Sequence, residues 1–384
     1  MNFPIDKFKN FNTPFYYYDS SVLSDTLHTI KGLIESHPNY HVHYAIKANA
    51  NPEILKRISA ESFGADCVSG GEIRAALNAG FPAEKIVYAG VGKSDAEITL
   101  GIEQGILCFN VESIPELEVI NEIAGKLGKT ARVAFRINPN VDAHTNAKIT
   151  TGLNENKFGI AMEDMEDAIH QADNMEFVSY VGLHFHIGSQ ITSTAPFVAL
   201  CDRINELQDK LEADGIHTPS INVGGGLGID YDNPDANPIP DFESYFDTFT
   251  KHLKLRSGQQ LHFELGRSVV GQCGALIART LYVKHGHAKK FLILDAGFTE
   301  LIRPAMYGAH HEIQNLSSQE KAKDIYDVVG PICESSDVFD KDVTLPISHR
   351  GDFIALRSAG AYGEVMASTY NCRKLPKSFF SDKI

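Results

Sequence analysis

The chain has 384 residues, 43% hydrophobic and 22% charged, with 35 basic against 49 acidic side chains and a net charge of −14. That length suits two domains, and the acidity argues against a phosphate-backbone partner such as DNA. No apolar run approaches the ~18 residues of a membrane span, the N-terminal MNFPIDKFKNF lacks a secretory apolar region, and the six cysteines (67, 108, 201, 273, 333, 372) show no CxxC or CxxH spacing. Neither a zinc site nor a disulfide framework is suggested, and a cytoplasmic protein is expected.

The first strand-like stretch, TPFYYYD at 13–19, precedes the regular pattern and could add a strand to a later domain. Next comes HVHYAIKANANPE, in which His41–Ile46 read as a short strand ending at Lys47 before a turn-like ANANP. A lysine there could be reaching for water, or it could be an amine held at the mouth of a pocket. Further strands are predicted at 64–68 (GADCV), 85–90 (KIVYAG), 106–110 (ILCFN), 132–137 (RVAFRI), 180–187 (YVGLHFHI), 220–225 (SINVGG) and 261–266 (LHFELG). Helical stretches such as SGGEIRAALNAG and PFVALCDRINELQDKLEADG lie between them. Eight strands alternating with helices predict a parallel (β/α)8 barrel, although a doubly wound open sheet shares the alternation.

The strand faces sharpen that reading. Val181, Leu183, Phe185 and Ile187 fall on one side of their strand, with Gly182, His184, His186 and Gly188 on the other. Leu261, Phe263 and Leu265 alternate with His262 and Glu264, and Val133, Phe135 and Ile137 with Ala134 and Arg136. One face is apolar, as a coat of helices requires, and the other carries ionisable groups, which barrels place near strand C-termini. The glycines 224–226 follow a strand directly, so bare amides and a following helix turn could hold an anion; there is no GxGxxG or P-loop motif. Glu264 with Arg267 reads either as a buried ion pair or as a carboxylate holding a proton on a cofactor ring. By default His186 is a core histidine, Cys333 an inert thiol and Tyr362 a turn-flanking aromatic. After about residue 268 helices thin out, and a mostly-β second domain is expected at 268–384, with 1–24 adding a strand to it and the barrel at 25–267.

The segments YAIKAN, HFHIGSQ, GGGLG, ELGR, CESSD and AGAYG, in this order, resemble the alanine-racemase-fold, pyridoxal-phosphate-dependent decarboxylases over nearly the whole chain. Within that family the stretch at 136–160 is most similar to the members that act on diaminopimelate. One departure is Leu265, where the family has proline in Glu-Pro-Gly-Arg. The resemblance implies the alanine-racemase-like fold and decarboxylation of meso-diaminopimelate to L-lysine and CO2, the last step of lysine biosynthesis. Carboxynorspermidine, arginine or ornithine decarboxylation is the alternative within the fold, and a non-catalytic homologue is a further one.

The resemblance also implies roles for particular residues. Lys47 would join covalently to the cofactor aldehyde, His186 would lie against its ring, and Asp66 would sit close by, with Arg136 in the supporting network. Ser189, Gly224, Gly225 and Gly226 would hold the phosphate with the backbone around Gly266 and Arg267. Glu264 would keep the ring nitrogen protonated, which favours decarboxylation over racemisation because a cationic ring is the better electron sink. Arg267, Arg303 and Tyr307 would grip the distal carboxylate, Glu334 the distal ammonium, and Tyr362 both cofactor and substrate. Cys333 would return a proton to Cα across a homodimer interface, giving shared active sites. Which loop closes over the substrate is left open by the sequence, with the stretch near 144–157 a candidate.

Overall fold

In the computed structural model, which describes residues 1–141 and 157–384, the chain first forms a short strand, β1 (Phe15–Tyr18). Eight parallel strands follow: β2 (Tyr40–Ala45), β3 (Gly64–Cys67), β4 (Ile86–Tyr88), β5 (Cys108–Val111), β6 (Ala131–Arg136), β7 (Val178–His184), β8 (Ser220–Asn222) and β9 (Gln260–Leu265). They close in sequence order into a barrel, β2 pairing with both β3 and β9. The fold is therefore the (β/α)8 barrel, not the open sheet, and the register sets His43 of β2 beside Glu264 of β9. The stretch 142–156, which carries the middle of the substrate-discriminating segment and most of the candidate closing loop, lies outside the described residues.

Local signals start the helices between the strands. Ser69 and Ser113 accept the amide hydrogens of Glu72 and Glu116 and cap the helices Gly70–Ala79 and Ile114–Lys126, the second also having Pro115 in its first turn. The outward face of β9 shows what seals helix to strand. Phe263 is fully buried among Tyr40, Tyr245, Phe246 and Phe249, with ring centroids 5.0–5.8 Å away. Three of these come from one face of the helix Phe242–His252, whose apolar residues recur at helical spacing.

One face assignment is corrected. The pairing of β6 with β7 slips between Val133 and Ala134, so that Val133 faces Tyr180 while Ala134 faces Gly182. This bulge at Val181 breaks the two-residue alternation. Val181 accordingly packs with Val87, Cys108 and Ala134 inside the barrel rather than under the helices. Those small side chains leave a cavity of about 630 Å³ in the lower barrel, lined also by His41, His43 and His262.

Residues Leu27–Gly228 and Asp241–Gly266 form one compact unit, which contains this barrel. The other comprises Met1–Thr26, Ile229–Pro240 and Arg267–Ile384. Its strands are β1, β10 (Gly274–His285), β11 (Lys290–Leu294), β12 (Ile313–Asn315), β13 (Lys323–Val329), β14 (Val338–Pro346), β15 (Phe353–Leu356) and β16 (Lys377–Phe380). They form a mostly antiparallel sheet in the order β12-β15-β10-β11-β13-β14, with β1 antiparallel to β10 and parallel to β16. Phe8, Phe15, Tyr17, Ile277 and Phe353 are its buried aromatic and aliphatic centre. The segment Ile229–Pro240 reaches this unit although it lies in sequence between two barrel strands. Among the described residues no helix is long and apolar enough to cross a membrane.

Candidate active site

Lys47 does not end a strand. β2 stops at Ala45, and Ile46–Ala48 make a single 3-10 turn. Two asparagines shape the chain beyond it. Asn49 Oδ1 accepts the amide hydrogen of Asn51 at 2.9 Å, Asn51 Oδ1 accepts that of Glu53 at 3.0 Å, and Pro52 then opens a helix. Tyr44 Oη donates to Asn49 O at 3.0 Å and ties the turn back to the strand. Lys47 is thereby held at the barrel's C-terminal end with its Nζ 3.1 Å from Asp66 Oδ2 and its side chain 40% exposed.

Asp66 is fully buried on β3, and its Oδ1 has no hydrogen-bond partner among the described residues. Burial raises its pKa, and the neighbouring Glu264 raises it further, against the pull of Lys47. Glu264 behaves oppositely. Asn110 and Asn222 donate to its Oε1 at 3.1 and 2.7 Å, and His184 Nε2 lies 2.9 Å from its Oε2. Burial works to raise this carboxyl, but the charge and hydrogen bond of His184, with Lys47 beyond, outweigh it and hold the pKa well below the usual carboxylate range. Two buried carboxyls at one barrel mouth thus have their pKa values driven apart, the pattern of a site that must keep one of them ionised.

Gly224, Gly225 and Gly226 follow β8 in extended and left-handed backbone rather than in a helix turn. The next helix begins only at Phe242, so the expected helix dipole is missing. The glycines are demanded by close approach. A Cβ on Gly225 would sit 1.9 Å from Glu264 O, and one on Gly224 2.3 Å from Phe185 O. Gly225 N–H donates to His186 Nδ1 at 3.3 Å. That acceptor role requires an unprotonated nitrogen, in keeping with a His186 pKa driven well below its ordinary value by burial and by Arg136 and Lys47. Ser189 lies one residue beyond Gly188 in the loop after β7. Arg136 is paired with Glu112 at 3.1 Å, and Glu112 also accepts the amide hydrogens of Gly90 and Gly159.

These barrel residues fit pyridoxal phosphate: an amine at Lys47, an unpartnered carboxyl oxygen beside it, a flat neutral imidazole, a glycine cradle and an ionised carboxylate held from behind. Such a set can bind an aldehyde covalently, hold an anionic group on backbone amides and stabilise a protonated ring nitrogen.

A second group lies in the β unit. Arg303 and Tyr307 stand one turn apart on the short helix Arg303–Tyr307, with Pro304 in its first turn. Arg267 and Arg303 are both buried. Arg267 Nη1 donates to Tyr231 Oη at 2.6 Å, and its guanidinium lies 4.9 Å from the ring centre of Tyr362, whose backbone has φ of 56°. Cys333 and Glu334 are exposed on a loop that Asp337 pins through the amides of Phe298 and Ile332. Glu334 accepts from Tyr370 Oη at 2.7 Å, and Cys333 N–H reaches Asn371 Oδ1 at 3.5 Å. Neither makes a hydrogen bond or ion pair with Arg267 or Arg303 among the described residues.

Sequence reasoning placed His184 on the polar face of its strand but gave it no role, and it passed over Asn110 and Asn222, although their strand positions carried a signal. Tyr231 and His311 gave none, since each lies in a segment with no periodic pattern.

The chain is similar to known proteins over nearly its whole length. The family described as "Pyridoxal-dependent decarboxylase, pyridoxal binding domain" matches residues 24–271. A diaminopimelate decarboxylase of Bacteroides thetaiotaomicron is 64% identical over 382 residues, covering 100% of this chain and 99% of the relative. One from Neisseria meningitidis serogroup B is 44% identical, covering 94% of this chain and 86% of its own. The crystal structure of diaminopimelate decarboxylase from Helicobacter pylori complexed with L-lysine superposes with a TM-score of 0.91 at 39% identity, covering 98% of this chain and 93% of that one.

Proposed function

The chain belongs to the pyridoxal-dependent decarboxylases, among the diaminopimelate decarboxylases, and from that membership we propose that it converts meso-diaminopimelate to L-lysine and CO2, the last step of lysine biosynthesis. The observation that carries the chemistry is the ionised Glu264, held by His184, Asn110 and Asn222 within reach of the electrostatic field of Lys47.

When bound, pyridoxal phosphate supplies an electron sink for the charge left at Cα as CO2 departs. The remaining roles fall to side chains of this chain. Lys47 would offer the amine that holds the cofactor, and Asp66, 3.1 Å from its Nζ, would hold or release a proton there. Glu264 would keep a proton on the ring nitrogen, and His186 would hold the ring and exclude water. Ser189 and the amides of Gly224, Gly225 and Gly226, with those around Gly266 and Arg267, hold the phosphate. Arg267, Arg303 and Tyr307 take the distal carboxylate, since a guanidinium fork matches a carboxylate with two parallel charge-assisted bonds. Glu334 takes the distal ammonium, Tyr362 touches cofactor and substrate, and Cys333 returns a proton to Cα. The exposure of Cys333 and Glu334 supports a homodimer in which this loop completes the neighbour's site.

The test is direct. Purified protein given pyridoxal phosphate and meso-diaminopimelate releases CO2 and lysine in equal amounts, and Lys47→Ala releases neither. Turnover of ornithine or arginine in preference to diaminopimelate contradicts the assignment.

A further inference from the structure

Arg303 is a buried cation that no acidic side chain pairs with among the described residues. Its Nη1 is instead 2.8 Å from His311 Nε2, and its guanidinium lies 4.9 Å from the ring centre of Tyr231. His311 Nδ1 is 2.8 Å from the carbonyl oxygen of Arg357. A carbonyl can only accept, so the proton of His311 sits on Nδ1 and Nε2 is left as an acceptor for the guanidinium. Burial and the adjacent Arg303 push the pKa of His311 down to about 3, so the ring stays neutral. A carboxylate at that position would orient Arg303 equally well but would cancel its charge. A neutral imidazole orients it and leaves the charge whole.

Tyr231 lies between the two arginines. Arg303 stacks on its face, Arg267 Nη1 donates to its Oη at 2.6 Å, and His311 meets the ring edge-on at 5.2 Å between centroids. The ring's quadrupole lets two like charges share one small region. Because Oη already accepts from Arg267, its O–H is what remains for it to offer a ligand.

We propose that Tyr231 and His311 set the selectivity of this arginine pair for a ligand with a distal carboxylate. Tyr231 donates its O–H to that carboxylate, and His311 holds Arg303 in place without neutralising it. The inference rests on the diaminopimelate reading and adds two specificity-determining residues to it.

L-Lysine, the product, retains the distal carboxylate, and 1,5-diaminopentane is the same molecule without it. Their inhibition constants are to be measured on the holoenzyme for the wild type, Tyr231→Phe, His311→Glu and His311→Gln. Tyr231→Phe weakens lysine about tenfold, as loss of one hydrogen bond to a charged group does, and leaves diaminopentane within about twofold. His311→Glu weakens lysine selectively in the same way, and His311→Gln, which keeps an acceptor, stays near the wild type. For the substrate, Tyr231→Phe raises KM more than it lowers kcat. A wild type that binds lysine and diaminopentane alike overturns the diaminopimelate reading itself. A wild type that discriminates, together with variants that keep its ratio or weaken both ligands equally, overturns this inference alone.

Discussion

At the scale of single residues, the proposed function depends on opposite treatment of two buried carboxyls. Glu264 receives three side-chain donors, whereas Asp66 has one amine and an unpartnered oxygen. A buried carboxylate survives ionised only when its lone pairs are occupied, and here three donors reach it from β5, β7 and β8. Glu264→Gln keeps the shape and removes the charge, so the ring nitrogen loses the partner that holds its proton. The expected result is a fall in kcat of roughly 10²–10⁴-fold, with cofactor still bound; an unchanged kcat would show that the ring nitrogen has no need of this carboxylate. The sequence pointed to Lys47 and Glu264 through position alone, each standing at the polar end of a half-apolar strand. Taken without the family resemblance, Glu264 and Arg267 favoured a buried ion pair, yet the carboxylate accepts from Asn110, Asn222 and His184, and Arg267 donates to Tyr231. Amides carry no chemical signature in a sequence, and the arrangement of Asn110 and Asn222 around one carboxylate exists only once the barrel closes.

Among elements, the pairing of β2 with β9 closes the barrel and sets its behaviour with pH. His43 Nε2 lies 2.9 Å from His262 Nδ1, and His43 Nδ1 lies 3.1 Å from the carbonyl oxygen of Lys85, so His43 donates to the carbonyl and accepts from His262. Burial lowers the pKa of His43 from 6.5 to about 4 and that of His262 well below 6.5, against the opposing charge of Glu264. Below pH 6.5 the unfolded chain takes up protons that the folded barrel refuses. Stability is therefore full above about pH 6.5 and declines as the pH falls toward 4, with His43 alone accounting for roughly 2 kcal/mol by pH 5. Urea midpoints measured at pH 7.5 and 5 should differ accordingly, and His43→Gln should shrink the difference; a midpoint that does not move with pH contradicts the neutral stack. The eight strands were legible because each half-buried strand alternates between helix-facing and interior residues. The bulge at Val181 was not legible, since an inserted residue looks like continued alternation until a neighbouring strand reveals the slip. The helix expected after the glycines failed for a related reason. Close contact with Glu264 O and Phe185 O, rather than a helix start, is what requires glycine at 224 and 225.

The whole molecule combines a barrel unit that carries most of the residues proposed to hold the cofactor with a β unit that carries those proposed to hold the substrate. The boundary near residue 268 was visible where helices give way to strands, whereas the passage of Ile229–Pro240 into the β unit left no mark in composition. In the proposed homodimer Lys47 and Cys333 of one site come from different subunits. Neither Lys47→Ala nor Cys333→Ala enzyme should then be fully active alone, and mixing them through reversible dissociation should restore about a quarter of the wild-type sites. No recovery would mean that each chain supplies its own thiol.

The central claim is that Lys47 is the residue to which the cofactor is covalently joined. It is tested most directly by reducing the cofactor-loaded protein with borohydride, digesting it and locating the pyridoxyl mass by mass spectrometry. The account predicts a single modified peptide carrying the label on Lys47, and none in Lys47→Ala. A label on any other lysine, or no label in a protein saturated with pyridoxal phosphate, would contradict it.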